Sequence, residues 1–596
     1  MSDKFDPITF EVIRNALDSI ADEMALVITR TAYSPIVRDT MDYSTSFCDH
    51  NGDVASQGLT TALHLGSFPD AMAVLVERFK GDINEGDVFI LNDPYGSGGM
   101  HLPDIYVIKP IFHDGCLEGY ATTLVHHTDI GGLTPGGTAV HATEIFQEGL
   151  QIPLLKIYDR GIENKTLMEI ILKNVRVPGK VHGDLRAQLA ACRIAEASFA
   201  TLIKRHGQRV VRRYIAEMHR QSELQMRRMI SDLPDGTYTF EDYIDGFGVQ
   251  PVEIKFCVAV TIKGDSAYVD WTGTSPQVNG AINAPGPFVR SATYIVFRSL
   301  VNSRIPNSVG YMRPITVFAP EGSILNPRFP AACTARGIVG FRAVDTLFGA
   351  LSKAAPDRVY AAGEGGGTNP SIGGMHQGEM FIVTEGIMGS WGGRPSLDGL
   401  DGAANLSANQ SNQPVEMLES DSPVDILEYS LANNSGGPGK HRGGMAVRRS
   451  YRLRAPQAVF TLRSDHRAHL PYGLAGGLPG TPSYTWVVSG GNTTLLPVLP
   501  QQKSDLVAGD EVIHIAAGGG GHGDPLERPA ELVLEDVIDE KSTRQYAAEV
   551  YGVVIPEAQL SIDRQATERR RSEMRSSRQD GGQDAYLRHF KAANCR

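Results

Sequence analysis

No run in this sequence approaches the roughly twenty consecutive apolar residues that cross a bilayer, and the opening MSDKFDPITF has neither the basic nor the apolar region of a signal peptide. A soluble, cytoplasmic chain with no membrane partner is the expectation. The six cysteines, Cys48, Cys116, Cys192, Cys257, Cys333 and Cys595, stand singly without CxxC spacing, which excludes a disulfide scaffold or a zinc ribbon and fits a reducing compartment. No basic face is evident over the first 500 residues and net charge is −12, so nucleic acid is not an expected partner. There is also no GxxxxGK[ST]. The glycine runs GEGGGT and GGGGHG lack the strand, helix and following acidic residue that a dinucleotide loop requires, so no ATP or NAD site is expected on this chain.

What is abundant is glycine, 64 residues in 596, a signature of many turns and close backbone approaches. The length is too great for one core, and an α+β, multidomain protein is expected. Four regions follow from texture: an N-terminal α+β domain over 1–232, a β-rich domain over 233–330, a glycine-rich mixed domain over 331–530, and a helical, charged tail over 531–596. The tail's last part, DRQATERRRSEMRSSRQDGGQD, reads as a solvated end.

In the first region Asp6-Pro7 is a helix start, and Ile8, Val12, Ile13, Leu17, Ile20, Met24, Val27 and Ile28 then recur with helical period. After Ser34-Pro35 come a strand, a turn at Asn51-Gly52 and a second strand, with Asp42 at the entrance and Asp53 in the turn. His64 falls on a short polar turn before a helix. From Leu167 to about Ile230 the pattern is helical again, broken at Val177-Pro178-Gly179.

Chemistry concentrates between Leu91 and Gly132, LNDPYGSGGMHLPDIYVIKPIFHDGCLEGYATTLVHHTDIGG. IYVIKPIF reads as a buried strand, Asp114-Gly115 as a tight turn, and CLEGYATTLVHH as the returning strand. Such a hairpin carries His126 back beside His101 and Asp104. Two imidazoles and a carboxylate suit a borderline divalent ion of the zinc, manganese or iron kind, with positions left open. His126 and His127 point to opposite faces of the strand, so at most one binds the ion. Gly96, Gly98 and Gly99 are expected to let backbone approach a ligand. The plainer alternative is a set of strand-end polar residues satisfied by hydrogen bonds. Further on, Glu144, Gln147 and Glu148 cluster in a glycine-rich loop, where solvated turn residues are the default reading of any one of them and supporting or substrate groups the alternative.

These residues, with DPITFEVIRNAL, RTAYSPIVRDTMDYSTSFCD, ALHLGS, ATEIFQEGL, NVRVPGKVHGDLRAQLAA, WGGRPSLDGLDG, NQPVEMLE, NNSGGPGKHRGG and GGGGHGDP, resemble the hydantoinase B/oxoprolinase family from residue 6 to about 555. That family includes the B-type components of ATP-dependent N-methylhydantoinase, 5-oxoprolinase and caprolactamase, and related subunits of acetone and acetophenone carboxylases. The resemblance implies a two-component enzyme. A hydantoinase A-type partner with an actin-like fold uses ATP and Mg²⁺ to phosphorylate a cyclic amide, and the B-type chain hydrolyses the activated intermediate, the pair forming αβ units that dimerise. It places the metal ligands on His101, Asp104, His126 and Asp42, the last in a block where Tyr43 replaces the usual Phe. His127 or Asp129 would then handle the proton of the attacking water. A ketone carboxylase subunit is the alternative, against which the chain's length weighs, and the intact HxxD and His set argues against a purely structural subunit.

Overall fold

The computed structural model describes residues 5–365, 367–500, 504–576 and 583–595. Asp6 caps the first helix, α1 (Pro7–Thr31), by accepting from the N–H groups of Ile8 and Thr9 at 3.2 and 3.1 Å. A seven-stranded sheet follows: β1 (Tyr43–Asp49), β2 (Val54–Gln57), β3 (Val88–Leu91), β4 (Asp104–His113), β5 (Cys116–His126), β6 (Leu155–Asp159) and β7 (Ile162–Glu163), in the order β2-β1-β5-β4-β3-β6-β7. The β4–β5 hairpin turns at Asp114 and Gly115, with φ of 49° and 74°, the left-handed pair that a two-residue loop needs.

Both faces of this sheet are buried, and the alternation along its strands divides it between two cores. Ile105, Val107, Ile111, Ala121 and Val125 pack against α1 and the helix α2 (Pro178–His206). Tyr106, Ile108, Tyr120 and Leu124 belong to a second core, which runs on across residue 232. A strand buried on both faces shows a nearly continuous apolar run, as IYVIKPIF does. The helical stretch breaks twice. Besides the break before Pro178, Gly207 at φ 86° separates α2 from α3 (Gln208–Ser231). A lone glycine between two amphipathic patterns keeps the apolar period nearly in step, so periodicity does not reveal the kink.

The second sheet holds β8 (Gly236–Ile244), β9 (Ile254–Lys263), β10 (Ser266–Asp270) and β11 (Ile315–Phe318), in the order β11-β10-β9-β8. Two helices lie beside it: α4 (Gly286–Ser299) and α5 (Gly337–Leu351). Every residue of α5 is buried; most are apolar, and the buried Arg342 among them is paired with Asp242 and Asp465.

The glycine-rich stretch after α5 builds two further sheets from nine strands: β12 (Asn369–His376), β13 (Glu379–Thr384), β14 (Val424–Leu431), β15 (Val447–Leu453), β16 (Gln457–Arg463), β17 (Tyr484–Ser489), β18 (Asn492–Leu495), β19 (Ser504–Val507) and β20 (Glu511–Ile515). Their orders are β13-β12-β16-β19 and β14-β15-β20-β17-β18.

The tail is helical, and it is not a solvated end. Arg571 donates to the carbonyls of Tyr551 and Arg528, and Tyr586 and Phe590 are fully buried. Its charged face masks an apolar one spaced at helical period. The part of the charged run at 577–582 lies outside the described residues. Among the described residues no helix is long and apolar enough to cross a membrane.

Candidate metal centre

The β4–β5 register sets Asp104 directly opposite His126. His101 lies three residues before Asp104, its Nε2 3.1 Å from the Asp104 Oδ1. The His101 and His126 rings are 5.1 Å apart, and ligand atoms of the three side chains all lie within 4.8 Å of one another. The hydrogen bonds around them then show what the site is short of. His101 Nδ1 is 2.9 Å from the Thr334 carbonyl, which only accepts, so Nδ1 carries the proton and Nε2 presents a lone pair. Burial first, then Arg336, lowers the His101 pKa to about 3, so the ring is neutral. Burial lowers His126 to about 4. Burial opposes ionisation of Asp104, but the Arg336 guanidinium paired with it keeps its carboxylate ionised, below the usual range. A lone pair thus faces a carboxylate oxygen at contact distance. His101 Nε2, Asp104 Oδ1 and His126 Nδ1 are all buried without a hydrogen-bond partner. A cation among them resolves all three, and two imidazoles with a carboxylate fit zinc, manganese or iron.

Around this group is a cavity of about 80 Å³ lined by Asp42, His64, His101, His126, Arg336 and Arg463 among others. Asp42 follows Met41, whose φ of 61° is a strained conformation for a side chain of that size. Its Oδ1 lies 3.6 Å from His64 Nε2, so Asp42 shares the cavity but stands beside His64, outside the close triad.

His64, on a short buried helix (Ala62–Leu65), is a site residue that its local sequence, a short polar turn, does not announce. Ser44 Oγ spends its proton on the Thr61 carbonyl, and so only accepts from His64 Nδ1 at 3.3 Å. That leaves the His64 Nε2 lone pair in the cavity. Burial lowers the pKa of His64, with Asp104 and Asp42 opposing.

Supporting groups come from far along the chain. Arg336, at the N-terminus of α5, pairs with Asp104 Oδ2 and stacks 4.4 Å over the Phe288 ring. Glu148 accepts from the N–H groups of Cys333 and Thr334, both at 2.7 Å, and so fixes the carbonyl that orients His101. Burial pushes Glu148 up to about 8. Glu144 is exposed, and Gln147 accepts from Thr143 N–H.

The structure does not bring His127 or Asp129 to the cavity. His127 Nε2 meets Gln188 Oε1 of α2 at 3.1 Å on the other face of β5, as strand alternation requires. Asp129 is occupied by Arg176 and by the N–H groups of Arg176 and Gly131. His127→Leu is therefore expected to keep the metal and lose about 1–3 kcal/mol of stability, because Gln188 Oε1 is left without a donor although its Nε2 keeps Ile105 and Thr123. Urea unfolding with metal analysis checks this, and lost turnover at unchanged stability would contradict it.

The turn glycines also serve a different purpose from the one expected. A Cβ on Gly98 would meet the Ala71 backbone N at 2.8 Å and one on Gly99 the Asn92 carbonyl at 2.6 Å, so they permit packing on the protein's own backbone. A second set of ligating side chains, Asp49, Asp53 and His219, braces a turn: Asp49 Oδ1 accepts from Asn51 and Asp53 N–H, and Asp53 pairs with Arg313.

Sequence signals for the distant site residues are faint. Arg336 is one charge ahead of the apolar GIVGF, and Arg463 closes the alternating strand QAVFTLR; only tertiary structure shows what either faces.

A family model described as hydantoinase B/oxoprolinase matches residues 6–525. A protein of Pseudomonas sp. (strain NS671), named as the B component of a D-/L-hydantoinase, is 35% identical over 583 residues, covering 95% of this chain and 98% of the relative. Among solved structures, the ATP-dependent caprolactamase from Pseudomonas jessenii superposes with a TM-score of 0.89 at 30% identity, covering 96% of this chain and 100% of that one. Nucleotide-free acetone carboxylase also gives 0.89, at 20% identity over 96% and 83% of the two chains, a likeness of fold alone.

Proposed function

Because the chain belongs to the hydantoinase B/oxoprolinase family, we propose that it is the B-type component of an ATP-dependent cyclic amide hydrolase opening a lactam, hydantoin or 5-oxoproline ring. An A-type partner uses ATP and Mg²⁺ to phosphorylate the amide oxygen, and this chain receives the product. An amide is a poor electrophile, and phosphorylation turns its oxygen into a leaving group.

The observation that carries the reading is the lone pair of His101 held against the Asp104 carboxylate beside the unpartnered His126. A divalent ion bound there supplies Lewis acidity and lowers the pKa of a coordinated water toward neutrality. His101, Asp104 and His126 would hold it, with Asp42 at the rim. His64 Nε2, with its free lone pair, takes the proton from water, and Asp42 at 3.6 Å stabilises the imidazolium that results. The seam between the two subunits keeps the activated intermediate from bulk water, which calls for an interface on the order of 2,000 Å².

The test is product analysis. The chain, its A-type partner, ATP and a panel of hydantoins, lactams and 5-oxoproline are expected to yield the ring-opened acid with ADP and phosphate. Labelled bicarbonate fixed into a ketone, without ring opening, would instead mark a carboxylase and overturn the proposal.

A further inference from the structure

We infer that Arg463, Arg336 and the first turn of α5 form an oxyanion cradle across the cavity from the His101–Asp104–His126 group, and that it receives the phosphoryl group of the activated substrate. The inference rests on the hydrolase reading for the identity of that substrate. The cradle itself rests on geometry.

Arg463 arrives at the end of β16 and lines the cavity. Among the described residues its one hydrogen bond runs from Nε to the Gly367 carbonyl at 2.7 Å, and it makes no ion pair. Burial first, then Arg336, lowers it to about 10, so it stays charged at neutral pH; Asp42 and Glu364 act on it only at a distance. Arg463 is part-buried, with its Nη atoms left accessible to the cavity and no counter-ion against them, an arrangement that suits a ligand supplying the missing anion.

Further donors border the same space. Arg336 is 4% exposed, and while its Nη2 holds Asp104, its Nε is buried without a partner. Gly337, which opens the 15-residue helix α5 and lines the cavity, has no acceptor for its N–H among the described residues and stands at the positive end of the helix dipole, whereas Val339 and Gly340 N–H are bonded to the Arg336 carbonyl. Gly337 makes the approach possible, since a Cβ there would stand 2.8 Å from Arg463 Nη1. Charge points the same way. The lining carries one carboxylate, Asp42, and two guanidiniums, Arg336 and Arg463, with the buried Asp104 behind it paired to Arg336. With a divalent ion bound the walls gain two positive charges, which a phosphoryl dianion balances.

The experiment uses the full-length, metal-loaded chain without its partner. Inorganic phosphate is titrated and followed by ³¹P line broadening and by thermal unfolding, with metal content measured on the same samples. Wild type is expected to bind phosphate and unfold at higher temperature with it. Arg463→Met should weaken binding at least about tenfold, the loss expected for two charge-assisted hydrogen bonds, while Arg463→Lys retains part of it. Gly337→Ala should weaken it as well, by displacing the guanidinium, and chelation should weaken it in wild type. An arginine of merely structural use would lower the unfolding temperature of Arg463→Met and leave its phosphate response intact. Unchanged phosphate affinity in both Arg463→Met and Gly337→Ala with full metal content overturns the cradle, as does no binding by wild type. Bicarbonate binding where phosphate does not would overturn the phosphoryl assignment. Ring opening with the partner is assayed in parallel, so loss of the cradle alone is told apart from loss of the hydrolase reading.

Discussion

His126→Ala is expected to yield a folded protein that has lost its divalent ion and at least about 100-fold in turnover, since even groups that only orient metal ligands are worth 10–100-fold. His126 is the cleanest member of the triad to remove. Its Nδ1 has no hydrogen-bond partner, so truncation strands no other group. His101→Ala should behave alike, with an added cost at the Thr334 carbonyl that its Nδ1–H now satisfies at 2.9 Å. Asp104 is different. It sits at a strand end but is fully buried against Arg336, and Asp104→Ala leaves that guanidinium uncompensated, at a cost of about 3–5 kcal/mol. Its loss of activity would mix metal loss with instability. Elemental analysis of the three variants, with unfolding midpoints, decides the matter. A full metal complement in all three would place the ion elsewhere.

The second large effect is dependence on a partner. The chain alone is expected to hydrolyse no ATP and open no ring, and addition of the A-type partner should restore both. The glycine run of GGGGHG, the sequence's nearest approach to a phosphate loop, is spent on internal packing. A Cβ on Gly518 would collide with the Ser435 carbonyl, on Gly519 with that of Trp391, on Gly520 with that of Tyr472 and on Gly521 with that of Pro438. Backbone packed that closely against backbone has no room to cradle a nucleotide. ATPase activity in a preparation shown to be free of partner would overturn the division of labour. Separate elution of the co-expressed chains at micromolar concentration would overturn the obligate complex.

Local rules carried the hairpin and the three ligating side chains on it. Asp114-Gly115 demands a left-handed two-residue turn, the returning strand carries His126 back to the end where Asp104 lies, a register shift at Ile111/Phe112 sets the two directly opposite, and alternation sends His127 to the opposite face. Asp6-Pro7 likewise starts α1 by its own side-chain hydrogen bonds. All of this is legible in sequence because cap, turn and strand register are settled by residues within one hairpin of each other. The same rule, read to its end, removes His127 from the cavity.

What lies opposite the triad was beyond such rules. Asp104 meets Arg336 across 232 positions of sequence and His101 meets Thr334 across 233. His64 becomes a site residue through packing, Glu148, one of three loop candidates in the sequence, is singled out only by the Cys333 and Thr334 N–H groups that it holds, and Arg463 enters through where β16 happens to end. A buried polar group in sequence carries no mark of its partner, because the partner's identity follows from how separate sheets and helices close upon one cavity. The spacing of HxxD and HH by itself determined that two imidazoles and a carboxylate meet at one end of a hairpin; only the tertiary structure, by bringing α5 and β16 to the same space, decided that positive charge faces them.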